Sequence, residues 1–143
     1  MTKTHATALA AIAAVVESVS GITSAPTYPH EQMNESPFAV TYVLTSEIDA
    51  GPIGTRKSLS NIAIDVLVVR RDIALDMEIL TPFLDSVPLA LLSEISVGGD
   101  IFSATIDTFE SISVEFIPQI DYASVQMIGY RFTLNNVKIL EAI

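Results

Sequence analysis

The chain has 143 residues and no cysteine, a length typical of one domain and a composition that excludes thiolate metal sites, iron–sulfur clusters and thiol nucleophiles. Its net charge is −10, with only seven Lys and Arg, so it lacks the basic surface that neutralises nucleic-acid phosphates. Half of the residues are hydrophobic and 17% are charged, against roughly 25% in an average soluble domain. We expect a single domain over residues 1–143, with part of its apolar excess buried between subunits.

The N-terminal third is predicted to hold one helix and one loop. Apolar residues recur at helical spacing, which predicts an amphipathic helix from about Thr4 to Val19 that stops at Gly21. The stretch from Met1 to Val19 also resembles a short signal peptide, but Glu17 closes the apolar run early and no A-x-A-like cleavage site follows. We therefore expect a soluble intracellular protein without a membrane partner. A loop is predicted around three prolines, Pro26, Pro29 and Pro37.

Two strands are predicted next. Phe38 to Leu44 and Leu59 to Arg70 both alternate apolar and other residues, and the second has one strongly apolar face. Ser46 to Ser58 contains Gly51, Pro52 and Gly54, which predicts a long, exposed loop between the strands. Asp65, inside the second strand, is interpreted as facing solvent or a neighbouring subunit.

The remaining elements are predicted as helices and then strands. Asp72 is a suitable N-cap, and Pro82 and Pro88 predict two short helices, the second anchored by Leu89 to Leu92. The inner helical stripe is Met77, Leu80, Phe83 and Leu84. The predicted strands are Phe109 to Ile117 and Val125 to Leu140, with a turn over Pro118 to Ser124 and with Ile128, Tyr130, Phe132 and Leu134 facing the core. The fold class is α+β, a mostly antiparallel sheet with helices packed on one face, in the order α-β-β-α-β-β.

Few residues carry a pattern of catalytic or cofactor chemistry. Residues 51–58 contain two glycines and a Lys-Ser pair near the spacing of a phosphate loop, but Arg56 precedes Lys57 where glycine is needed, and a strand follows where a helix is needed. His5 and His30 have no partners at metal-ligand spacing and are interpreted as solvated. Arg70-Arg71 is a candidate ion-pairing patch or a solvated strand end. We expect no enzyme activity, no cofactor and no metal.

A family resemblance rests on two stretches of the chain. The first stretch runs from Asn61 to Asp76 and continues from Leu80 to Leu92. In it a predicted strand ends in a basic residue, and the sequence Pro82-Phe83-Leu84-Asp85-Ser86-Val87-Pro88 follows. The second is Val97-Gly98-Gly99-Asp100 with the later strand Ile128 to Leu134. This pattern resembles the tail-terminator, or tail-completion, proteins of long-tailed bacteriophages.

The resemblance implies a structural virion protein of the neck region, assembled in the host cytoplasm. Such subunits form a homo-oligomeric ring, usually a hexamer, which ends polymerisation of the tail tube and joins the tail to the head connector or head-completion protein. DNA passes through the ring without specific binding. The candidate ring or tube contacts carried over to this chain are Tyr28, Met33, Phe38, Ile48, Ile53, Arg56, Lys57, Arg70 and Arg71.

Other functions remain open from the sequence. Another head–tail neck or connector protein would share the size and the composition. A small acidic ligand-binding or enzymatic α+β domain would need a pocket lined by buried carboxylates or a histidine. A non-viral adaptor could instead pair a sheet edge with its partner through the long Val125 to Leu140 strand.

Overall fold

The computed structural model describes residues 4–25, 37–50, 55–96, 109–122 and 125–142. Their helices and strands are, in chain order, α1 (His5–Glu17), β1 (Phe38–Ala50), β2 (Thr55–Val69), α2 (Ile73–Leu80), α3 (Phe83–Ser96), β3 (Ser111–Tyr122) and β4 (Val125–Ala142). The predicted α+β class with an antiparallel sheet is confirmed. The predicted element order is not fully matched, because two helices lie between β2 and β3.

The four strands form one sheet in the order β1-β2-β4-β3, and every neighbouring pair is antiparallel. The chain thus builds two hairpins, β1–β2 and β3–β4, which join through β2 and β4 at the centre of the sheet. β1 and β3 are the two edge strands. Each edge strand pairs with a neighbouring strand of the sheet along one side only.

One face of the sheet packs against all three helices. The central strands contribute Ile62, Ile64 and Val66 from β2 and Phe132 and Leu134 from β4, as the alternation predicted for β4. The helices contribute the buried side chains Leu9, Ile12, Val16, Leu80, Phe83, Val87 and Leu91. A second buried cluster, Phe38, Val40, Leu67 and Met127, lies on the opposite face. The middle of the sheet is therefore buried on both sides.

Short-range signals set the helix ends. Thr4 caps α1, since its hydroxyl oxygen accepts a hydrogen bond from the Thr7 amide and the Thr4 amide donates one to the hydroxyl oxygen of Thr7. Gly21 has φ +99°, in the left-handed region that favours glycine after a helix. Asp72 caps α2 as predicted, accepting from the amides of Ala74 and Leu75.

Three of the described prolines, Pro82, Pro88 and Pro118, affect the chain in different ways. Pro82 separates α2 from α3, whereas Pro88 lies inside α3 without ending it. The predicted turn over Pro118 to Ser124 is wrong from Pro118 to Tyr122, because β3 continues to Tyr122. Residues 123–124 lie outside the described residues. The register with β4 shifts between Ile117 and Ile120, which places Pro118 in a bulge of an edge strand, where its missing N–H is tolerated.

The predicted loop from Ser46 to Ser58 is also mostly wrong. β1 continues to Ala50 and β2 begins at Thr55, with Asp49 opposite Lys57 and Glu47 opposite Leu59. From Leu44 to Ala50 β1 is exposed on both faces. No apolar alternation therefore marked this part as a strand.

Gly129 of β4 is required by a close approach of two backbones. A Cβ at this position would collide with the carbonyl oxygen of Val66 and would lie 2.8 Å from Cδ2 of Leu67. Glycine here leaves room for the Val66 carbonyl and for the side chain of Leu67. This gives a structural reason for the glycine in the Gly129-Tyr130-Arg131-Phe132 stretch.

Candidate functional site

A buried ion pair joins the central strands on the sheet face opposite the main core. Asp65 of β2 lies directly opposite Arg131 of β4, and Nε of Arg131 donates to Oδ1 of Asp65 at 2.8 Å. Nη2 of the same arginine lies 3.3 Å from Oδ2, and the hydroxyl of Tyr42 on β1 donates to Oδ2 at 2.7 Å. The prediction that Asp65 faces solvent or another subunit is wrong, because its side chain is 1% exposed.

The network compensates the buried charge of Asp65 with a cation that still reaches water. The side chain of Arg131 is 27% exposed, and its guanidinium lies 5.9 Å from the ring centroid of Tyr42. The hydrogen bond to Asp65 raises the pKa of Arg131 above its usual value, an effect that burial partly opposes. Both carboxylate oxygens accept hydrogen bonds from protein donors on the neighbouring strands. The network therefore stabilises the register in which β1, β2 and β4 pair.

His5 lies against the sheet. The prediction that its side chain is solvated is therefore only partly right, because the side chain is half-buried. Its Nε2 lies 3.0 Å from Oγ of Ser60 and 3.4 Å from Oγ of Ser46, and the two hydroxyls lie 2.8 Å apart. Burial, and then the nearby charge of Arg56, lower the pKa of His5. These contacts fix the N-terminus of α1 to β1 and β2. His30 lies outside the described residues.

Large apolar side chains remain exposed on several described surfaces. They are Leu44, Ile48, Ile73, Leu75, Ile79, Leu89, Leu92, Val114, Phe116 and Val125. The segment Leu89 to Leu92 was expected to anchor α3. Leu91 is buried, but Leu89 and Leu92 are exposed. On β3, Val114 and Phe116 lie on the helix side of the sheet and are 45% and 43% exposed.

A groove between α3 and β3 contains part of this exposed surface. Its walls are Pro88 and Leu92 of α3, then Phe109, Ile112 and Val114 along the other side, and Glu110 and Ser111 add polar atoms. Its volume is about 420 Å³. We call this site the α3–β3 groove.

The predicted contact residues are dispersed. Tyr28, Met33 and Ile53 lie outside the described residues, and Phe38 is fully buried in the second cluster. Ile48 is 56% exposed on β1, close to the half-buried Arg56 and Lys57 of β2. Arg70 and Arg71 are exposed beyond the end of β2, where Nη1 of Arg70 lies 3.4 Å from Oε1 of Gln119 and the amide of Arg71 donates to Asp76.

Two tests of alternative sites concern only the described part of the chain. It contains no group of three or more His, Cys, Asp or Glu side chains that could hold a metal ion. None of its helices combines the length and the hydropathy needed to cross a membrane. β2 begins at Thr55, within residues 51–58, so a strand stands where the rejected phosphate loop would require a helix.

Sequence comparison adds no family assignment. No protein-family model matches the chain, and no curated protein matches it either.

Proposed function

We propose that this chain is a structural subunit of a phage tail-terminator ring, which ends polymerisation of the tail tube and joins the tail to the head connector. The observation that carries the proposal is the presence of exposed apolar side chains at both edges of the sheet. Leu44 and Ile48 lie on β1, and Leu92 and Val114 lie at the α3–β3 groove. A head-to-tail ring needs two different complementary patches on each subunit, whereas a two-fold dimer needs only one.

The residues that carry the resemblance belong to the core of the fold. Its helical residues Leu80, Phe83, Val87 and Leu91 are all buried in the main core, and Gly129 permits close packing of β4 on β2. These residues are buried inside the subunit itself. The ring contacts would therefore come from the exposed apolar residues, which vary more freely than a core.

The charge of the chain suits a passage for DNA. With a net charge of −10, the subunit repels phosphates, and a ring of several copies multiplies this repulsion. DNA would slide through such a ring without specific contacts. The tail tube protein on one side and the head connector or head-completion protein on the other are the proposed further partners.

Electron microscopy of particles that lack this protein tests the proposal. A terminator predicts overlong tails without heads, because nothing stops the tube and nothing joins it to the connector. Tails of normal length without heads would assign the chain to another neck position. Tails of normal length that are attached to heads would overturn both assignments. Resupply of the chain in trans, with restored tail length, is the control for a direct effect.

A further inference from the structure

The β1 edge ends in an arm that extends past α1. We define the arm as residues 47–50, 55–59 and 138–142, which continue the sheet beyond the contacts of His5 with Ser46 and Ser60. β3 begins pairing with β4 at Asn135, so the arm has three strands and β3 does not flank it. The arm carries the exposed apolar side chain of Ile48, which lies on the same sheet face as Ser46 and the helices.

The α3–β3 groove lies at the opposite edge of the same sheet. It opens beside the start of β3, where Ser111 pairs with Asn135, and its walls are mainly Leu92, Ile112 and Val114. Leu92 is 47% and Val114 45% exposed. One subunit therefore carries a projecting apolar side chain at one edge and an apolar depression at the other.

The charges favour the arm as the occupant over a second groove. The segments of α3 and β3 contain no Lys or Arg, and their charged residues are all acidic, namely Asp85, Glu94, Glu115 and Asp121, with Glu110 at the groove itself. Two such edges would repel each other. The arm sequence balances the basic Arg56, Lys57 and Lys138 against Glu47, Asp49 and Glu141, and so holds three of the seven basic residues of the chain.

We propose that the α3–β3 groove receives the arm of a second copy of this chain, with Ile48 as the inserted side chain. Because the arm and the groove are different surfaces, each copy uses its arm toward one neighbour and its groove toward the other, which is a head-to-tail contact. The inference rests on the proposed ring and names the contact that builds it. Arg56 and Lys57 approach the acidic edge and steer the encounter.

Two single variants of the full chain test the contact by light scattering after size exclusion. Ile48→Asp removes the arm contact and Leu92→Asp the groove contact, and each places a charge in an apolar interface. We expect each variant to weaken self-association by at least about tenfold. Ser93→Asp is the matched control, since it adds the same charge at an exposed polar position of α3. We expect this control to assemble like the wild-type chain.

Mixing the two variants gives the decisive result. The Ile48→Asp protein keeps its groove and the Leu92→Asp protein keeps its arm, so we expect the mixture to form a one-to-one complex and nothing larger. No complex on mixing, or wild-type assembly by either variant alone, would overturn the inference while leaving the ring to the tail-length experiment. A wild-type chain that stays monomeric also overturns it. Unchanged thermal unfolding of both variants shows that they are folded.

Discussion

Replacement of Arg131 by methionine should destabilise the fold through the buried charge that it leaves behind. The substitution keeps the long apolar stem of the side chain but removes the donors to Oδ1 and Oδ2 of Asp65, whose side chain is 1% exposed. The hydroxyl of Tyr42 would remain as a donor to that carboxylate. An unpaired buried charge costs several kcal/mol, far more than a lost surface ion pair.

The structure sets the expected magnitude. Removal of one partner from a buried pair costs about 3–5 kcal/mol, and the 27% exposure of Arg131 favours the lower end, because water already reaches the pair. We expect the free energy of unfolding to fall by about 3 kcal/mol, which corresponds to roughly 10 °C in Tm for a domain of this size. Urea unfolding monitored by circular dichroism measures it. Arg70→Met, at an exposed arginine that lies 3.4 Å from Gln119, should change stability by less than about 0.5 kcal/mol.

A double-mutant cycle separates the interaction energy between Asp65 and Arg131 from the other effects of each substitution on stability. The variant Asp65→Leu with Arg131→Met removes both charges, so it should lose much less stability than the sum of the two single variants. A stability of Arg131→Met within about 0.5 kcal/mol of wild type would refute the reasoning. Additive losses in the cycle would refute it as well, since they would show that the two side chains do not stabilise each other.

Three further predictions follow from the contacts. Gly129→Ala should cost about 3 kcal/mol or prevent folding, because its methyl group meets the Val66 carbonyl; wild-type urea unfolding would contradict this. Asp72→Ala should cost about 1 kcal/mol through the lost α2 cap, with an unchanged midpoint as the contrary result. The pKa of His5 is lowered from 6.5, so its stabilising contribution is present above that pH and is lost as the pH falls through the lowered pKa. Titration of His5→Gln stability should therefore show a smaller loss than wild type below pH 6.5, and parallel curves would argue against it.

The core of the fold was predictable because its signals are local. The alternation of β2 and β4, the cap at Asp72 and the proline between the two helices each depend on residues close together in sequence. The arm was missed for a physical reason: from Leu44 onward β1 is exposed on both faces, so the alternation that reveals a half-buried strand is absent. Gly51, Pro52 and Gly54 then extended the predicted loop too far.

The site residues were less predictable because they depend on register. Asp65 and Arg131 are 66 positions apart, and only the alignment of β2 with β4 shows that they are opposite each other. The alternation placed Asp65 away from the main core correctly but could not reveal the second buried cluster on its side. Similarly, Leu91 and Leu92 look equivalent in sequence, yet one is buried and the other forms a wall of the α3–β3 groove.

Native mass spectrometry of the purified wild-type chain tests most directly whether this protein acts as one copy of an assembly. A closed ring predicts a single discrete species at a whole multiple of 15.4 kDa, because a head-to-tail contact that closes leaves no free patch for further growth. A lone 15.4 kDa species under the same conditions would contradict self-assembly through the exposed apolar edges. An open series of masses would show that the contact exists but does not close.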